Sequence, residues 1–206
     1  NGNSELAVPQ NTLGAELRQL ENKQWEQITL PHTPFVEPLT VLHQWQGICY
    51  YKKKITITPE EAKKHIWIEF EGAMHLADVW INGKHVMQHA GGYTPFVVDA
   101  TGLLKTGKEN ELLVRLDNRN NSLIPPGKPL ETLDFCYYGG IYRNVHLIAK
   151  ADVHITHPIL DGHPAGAGIF ITYPKVSQEL SVVDAKTEIK NTSDKEKVVE
   201  LRHTLY

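Results

Sequence analysis

The chain has 206 residues, 41 % hydrophobic and 22 % charged, an ordinary balance for a globular protein of one to two domains. Its 21 Lys and Arg against 24 Asp and Glu leave a formal charge of −3, with no electrostatic footprint for nucleic acid or an anionic membrane. No apolar run approaches the roughly 18 residues a spanning helix needs, so neither nucleic acid nor membrane insertion is expected.

Residues 1–24 read as a polar N-terminal extension. Leu13, Leu17 and Leu20 have helical spacing, with Asn11 or Thr12 as caps, and a loose loop fits equally well. The opening Asn1-Gly2-Asn3-Ser4-Glu5 has neither a basic nor an apolar leader region. The chain is then either cytoplasmic or the product of leader removal, and a periplasmic or secreted location is the expectation.

From Trp25 the period changes to two. Cys49–Ile57 reads as a strand, and Thr58-Pro59-Glu60-Glu61 as a short helical start with Thr as cap and Pro first. His65–Glu71 alternates, with Ile66, Ile68 and Phe70 on one face and His65, Trp67, Glu69 and Glu71 on the other. Ala77–Ile81 and Lys84–Met87 flank Asn82-Gly83, the strongest short hairpin signal, because both central residues must take positive φ. Glu111–Asp117 alternates with Leu112, Val114 and Leu116 inward, and Asn144–Ile148 is another short strand. Strands recur without a βαβ rhythm, which predicts an all-β antiparallel sandwich. The stretch from about Asn118 to Gly140, with Pro125, Pro126, Gly127 and Pro129, is too long to be an ordinary connection and is either functional or wrongly assigned as a loop.

After Lys150 the texture shifts. Val153–Ile155, Gly168–Tyr173, Leu180–Ile189 and Val198–Tyr206 read as four strands, the first half of an immunoglobulin-like sandwich. The expected organisation is residues 25–150 as one sandwich and 151–206 as an incomplete second one. An unpaired edge of that kind predicts self-association, as a homo-oligomer or by strand exchange.

Few constellations carry chemistry. Cys49 and Cys136 can form at most one bridge and no thiolate metal site, and they read as buried free thiols. His85 and His89 share a strand face but stand about 13 Å apart on it. His154 and His157 fall on opposite faces if their strand persists, so no metal or cofactor is expected. Glu69 with Glu71 and Glu109 with Glu111 could supply paired carboxylates, but adjacent acids on an exposed face serve mainly solvation. Asn120-Asn121-Ser122 and Asn191-Thr192-Ser193 match the glycosylation sequon, a pattern common by chance. No nucleophile elbow, phosphate loop or dinucleotide fingerprint occurs. Leu133-Asp134-Phe135-Cys136-Tyr137-Tyr138-Gly139-Gly140 combines one carboxylate with three aromatic rings. That set suits a neutral polyol, through hydroxyl hydrogen bonds and stacking on sugar C–H faces; a capped turn with core aromatics is the other reading.

Several short motifs then fall in one order: Leu30-Pro31-His32-Thr33, Gly47-Ile48-Cys49-Tyr50-Tyr51, Phe70-Glu71-Gly72-Ala73, Val79-Trp80-Ile81-Asn82-Gly83, Gly91-Gly92-Tyr93-Thr94-Pro95-Phe96, Asp99-Ala100-Thr101-Gly102-Leu103-Leu104, Gly107-Lys108-Glu109-Asn110 and Gly139-Gly140-Ile141-Tyr142-Arg143-Asn144-Val145. Over roughly residues 25–150 this resembles the opening of the family 2 glycoside hydrolases, which include β-galactosidases, β-glucuronidases and β-mannosidases.

The resemblance implies a jelly-roll, galactose-binding-like sugar-binding domain, then an immunoglobulin-like domain. A (β/α)8 barrel carrying both catalytic glutamates follows outside this sequence. No residue of the chain is then catalytic; the parent protein would be a retaining glycoside hydrolase. Asp134 matches the aspartate that hydrogen-bonds a sugar hydroxyl at the barrel mouth. His32 stands where some β-galactosidases place a sugar-binding asparagine. Tyr137 and Tyr138 would line the same rim, and Arg143 would be buried and structural. The implied partners are a terminal β-linked sugar and the parent's barrel, and no metal or cofactor is assigned to these residues. Two other classes compete: an autonomous carbohydrate-binding module, and a protein-binding adhesion or assembly sandwich.

Overall fold

The computed structural model describes residues 20, 24–35, 44–135, 138–163 and 167–205. Two antiparallel sheets form the first sandwich. One contains β1 (Ile48–Ile55), β6 (Asn110–Asp117), β3 (Leu76–Ile81) and β4 (Lys84–Ala90) in that spatial order. The other contains β5 (Phe96–Asp99), β2 (His65–Phe70) and β7 (Val145–Lys150). The alternation explains the packing. Ile66, Ile68 and Phe70 of β2 meet Ala77, Val79 and Ile81 of β3 and Leu112, Val114 and Leu116 of β6 in one buried core. Phe70 stacks on Phe96 at 4.6 Å, and Ile57 and Leu104 close the end of the core.

The predicted connections form as their chemistry requires. Asn82 (φ 51°) and Gly83 (φ 78°) make the β3–β4 hairpin. The Thr58 segment closes one 3-10 turn, Glu61–Lys63, with the Thr58 hydroxyl accepting from the Glu61 N–H at 3.2 Å. β5 is a strand that the alternation pattern does not reveal. Phe96, Val97 and Val98 are consecutive apolar residues and all three are buried, so no period of two appears.

The second half is a pair of two-stranded ladders. β8 (Val153–Ile155) pairs with β11 (Ile189–Asn191), and β9 (Ile169–Lys175) pairs with β10 (Val182–Thr187). The segment expected as one strand over Leu180–Ile189 is thus divided between β10 and β11. Residues 198–205 form no strand, contrary to the expectation from their apolar content, and Val198 is fully exposed. With no strand beside it, an extended segment has no ladder to satisfy its backbone polar groups or to cover its side chains.

The two halves meet at Trp67. Its ring lies on the outer face of β2 yet is only 5 % exposed, because His154 and His157 pack edge-on against it at 5.3 and 5.5 Å. The strand stops at Ile155, so the two histidines converge on one ring instead of separating to opposite faces. A cleft of about 350 Å³ opens beside Trp67, lined also by Ile148, Lys150, Ile155, Pro158 and Ile169; it shares no lining residue with the long loop after β6.

Candidate functional site

The long loop leaves β6 at Asn118 and returns through Gly139–Tyr142. Buried Asn118 ties its start to the segment before β1. Its Oδ1 accepts from the Gly47 N–H at 2.7 Å, its Nδ2 donates to the Trp45 carbonyl at 2.9 Å, and its own N–H donates to the Gly47 carbonyl at 3.1 Å. The loop's exit packs against the same side chain, since a β-carbon on Gly139 would stand 2.8 Å from Asn118 Nδ2.

The exit strip is gripped from other sides as well. The His32 N–H donates to the Ile141 carbonyl at 2.8 Å, and the Met74 N–H donates to the Gly140 carbonyl at 3.0 Å. The Tyr142 hydroxyl donates to the Gly92 carbonyl. Gly140 takes φ +99°, and a β-carbon there would stand 2.7 Å from the His32 carbonyl, so only glycine fits. The Leu30–Pro31 and Met74–His75 peptides beside this strip are cis.

Within the loop, Leu130–Thr132 forms a 3-10 turn closed by Thr132, whose N–H and hydroxyl both donate to the Pro129 carbonyl at 3.0 and 2.8 Å. Leu130 and Leu133 are buried against Met74, with Tyr142 alongside. The chain then turns outward. Asp134 and Phe135 are exposed, and among the described residues no hydrogen bond or ion pair engages the Asp134 carboxylate. A carboxylate on a loop anchored by Leu133 before it and by Gly139–Ile141 after it can accept two hydroxyl hydrogen bonds, with the Phe135 ring beside it as an apolar face.

The other expected site residues divide. Tyr138 is half-buried on the loop's return. Tyr137 and Cys136 lie outside the described residues, as do Leu13 and Leu17; Leu20 packs on Trp80 and Leu113. His32 is half-buried, with Nδ1 3.0 Å from the Tyr51 hydroxyl. Burial pushes that hydroxyl well above the ordinary tyrosine range. His32 is thus tied to the loop's exit strip through Ile141, while no hydrogen bond or ion pair among the described residues joins it to Asp134. Cys49, beside Tyr51, is a free thiol pushed up to about 12, chiefly by burial.

Arg143 departs from the expectation. It is exposed, with its guanidinium 5.6 Å over the Tyr142 ring, because the position faces solvent just before β7. The buried arginine is Arg115, 1 % exposed, at 3.5 Å from Asp78 Oδ2 and 3.4 Å from Asp117 Oδ2. Asp78 is fully buried and also meets Gln88 Nε2 at 2.9 Å and His85 Nε2 at 3.1 Å. Burial raises the pKa of the Asp117 carboxyl, but two-point bonding by Arg119 and the charge of Arg115 outweigh it and hold the carboxyl below its ordinary range. This charged layer on the sheet's outer face lies directly behind the start of the loop. Outward alternation reads as solvent exposure, so sequence inspection passes over it; the available signal was the opposite charge of Asp78 and Arg115, which are cross-strand partners.

The remaining titratable pairs have structural partners. Glu69 faces His157 at 3.6 Å and Glu71 faces His146 at 3.1 Å, while Glu109 and Glu111 pair with Lys54 and Lys52. His89 stacks on Phe96 at 4.5 Å. Among the described residues no three His, Cys, Asp or Glu side chains are grouped to hold a metal ion.

Residues 6–151 match the family model for the glycosyl hydrolases family 2 sugar binding domain. The chain is 32 % identical to a β-glucuronidase of Formosa agariphila over 86 % of its own length and 19 % of the relative's. It is 33 % identical to a β-galactosidase of Thermoanaerobacter pseudethanolicus over 90 % of its own length and 26 % of the relative's. The crystal structure of a Bacteroides uniformis β-glucuronidase superposes with a TM-score of 0.67 at 32 % identity, covering 82 % of this chain and 19 % of that one. The chain thus spans about a fifth to a quarter of the length of the curated relatives it matches.

Proposed function

The chain belongs to family 2 of the glycosyl hydrolases, and on that premise we propose that it is the non-catalytic sugar-binding part of a retaining β-glycosidase. In this reading it lends substrate-binding loops to a (β/α)8 catalytic barrel that lies outside these residues. The observation that carries the proposal is Asp134, an exposed carboxylate on a loop held at both ends by buried anchors.

In the assembled glycosidase Asp134 accepts a hydrogen bond from a hydroxyl of the terminal sugar, a charge-assisted contact. Tyr138 lines the rim, and His32 reaches it from the neighbouring segment. The relatives' names divide between β-glucuronidase and β-galactosidase, so both sugars are candidates. Support for a shared site, in contrast to an autonomous binding module, comes from coverage: the chain matches only about a fifth to a quarter of the length of each glycosidase relative.

Calorimetry separates the two. The isolated chain is expected to show no heat of binding with millimolar galactose or glucuronic acid, while a longer protein that includes it hydrolyses a nitrophenyl β-galactoside or β-glucuronide. Tight binding by the isolated chain, with no hydrolysis by the longer one, would favour the module instead.

A further inference from the structure

The loop carrying Asp134 has a brace that the sugar contact itself does not use. Asn120 Oδ1 receives two donors, Gln46 Nε2 at 2.8 Å and the Leu130 N–H at 3.0 Å. Gln46 Nε2 also reaches the Asn118 carbonyl at 3.3 Å. Because both partners of Asn120 are donors, the atom facing them must be the carboxamide oxygen. Leu130 opens the 3-10 turn that ends at Thr132, and Leu133 then leads directly into Asp134. The Asn120 carboxamide thus links the segment before β1 to the turn that aims the carboxylate.

We propose that Asn120 is a positioning residue for Asp134: it fixes the Leu130–Thr132 turn and so fixes where the carboxylate meets the sugar. The proposal rests on the reading of Asp134 as a sugar contact. The chemistry requires a short side chain with one oxygen that accepts twice. Aspartate preserves that acceptor and alanine removes it.

The test is a double-mutant cycle in the glycosidase that contains this chain, assayed with a nitrophenyl β-glycoside. Asn120→Ala is expected to lower kcat/KM by about 2- to 13-fold, the span of one neutral hydrogen bond, and Asn120→Asp to restore it. In an Asp134→Ala background, Asn120→Ala is expected to change nothing further. Equal losses in both backgrounds, or no loss with Asp134 intact, would overturn the positioning role. If Asp134→Ala itself leaves kcat/KM unchanged, the sugar-contact reading has failed and this inference falls with it. Hydrogen exchange on the chain provides an independent readout: the Leu130 amide should exchange faster in Asn120→Ala and not in Asn120→Asp. An unchanged Leu130 amide in the alanine variant would show that no brace exists.

Discussion

Arg115 illustrates how a charge is kept inside this sandwich. A guanidinium taken out of water costs more than one carboxylate returns, and here Asp78 and Asp117 flank it on the same sheet face. Removing the cation leaves Asp117 with Arg119, but leaves the fully buried Asp78 facing only the Gln88 amide and His85 among its described partners. Arg115→Ala is expected to cost about 3–5 kcal/mol in urea unfolding, the range for breaking a buried pair. A loss under about 1 kcal/mol would mean that water already reaches the layer. Acid acts at the same scale. Burial lowers the pKa of His75 and His89 below the ordinary value of 6.5, so both are neutral in the fold and take up protons more readily when unfolded. Their contribution is complete above pH 6.5 and is lost as the pH falls toward their folded values; Asp117, also lowered, loses its own contribution at still lower pH. The urea midpoint should therefore be lower at pH 5.5 than at pH 7.5, and a midpoint that rises on acidification would contradict these assignments.

At the scale of elements, legibility follows burial geometry. β2, β3 and β6 announce themselves because one face carries the core, and the Asn82-Gly83 hairpin because positive φ is written in its residue types. Gly83→Ala is expected to cost about 1–2 kcal/mol, since alanine is strained at φ 78° even though open space surrounds it. An unchanged thermal midpoint would show that the turn relaxes freely. β5 was illegible because its three apolar residues are buried on both faces. His154 and His157 meet one ring because the condition for opposite faces, a strand that persists to His157, is not met once β8 ends at Ile155. Asp134 was legible as a candidate because an isolated carboxylate among aromatic residues is unusual in composition. Its brace through Asn120 and Gln46 joins residues far apart in the chain, and no local pattern encodes that pairing.

At the scale of the whole molecule the two halves differ in how much apolar surface they bury. The first sandwich buries its inward faces, whereas the second leaves Ile169, Ile171, Tyr173, Val198 and Leu201 in the open, with Tyr173 64 % exposed. Exposed apolar side chains favour association, and we propose that copies of the isolated chain associate through the second half. Light scattering should show mass rising with concentration, and a monomer at high concentration would contradict this. In the proposed function the first half positions the Asp134 carboxylate for a sugar. The most direct measurement is the kcat/KM of the Asp134→Ala glycosidase on its nitrophenyl β-glycoside. A hydrogen bond to a charged group is worth about 1.5–3 kcal/mol, so the account predicts a loss of about 10- to 150-fold with the unfolding midpoint unchanged; an unaltered kcat/KM would contradict it.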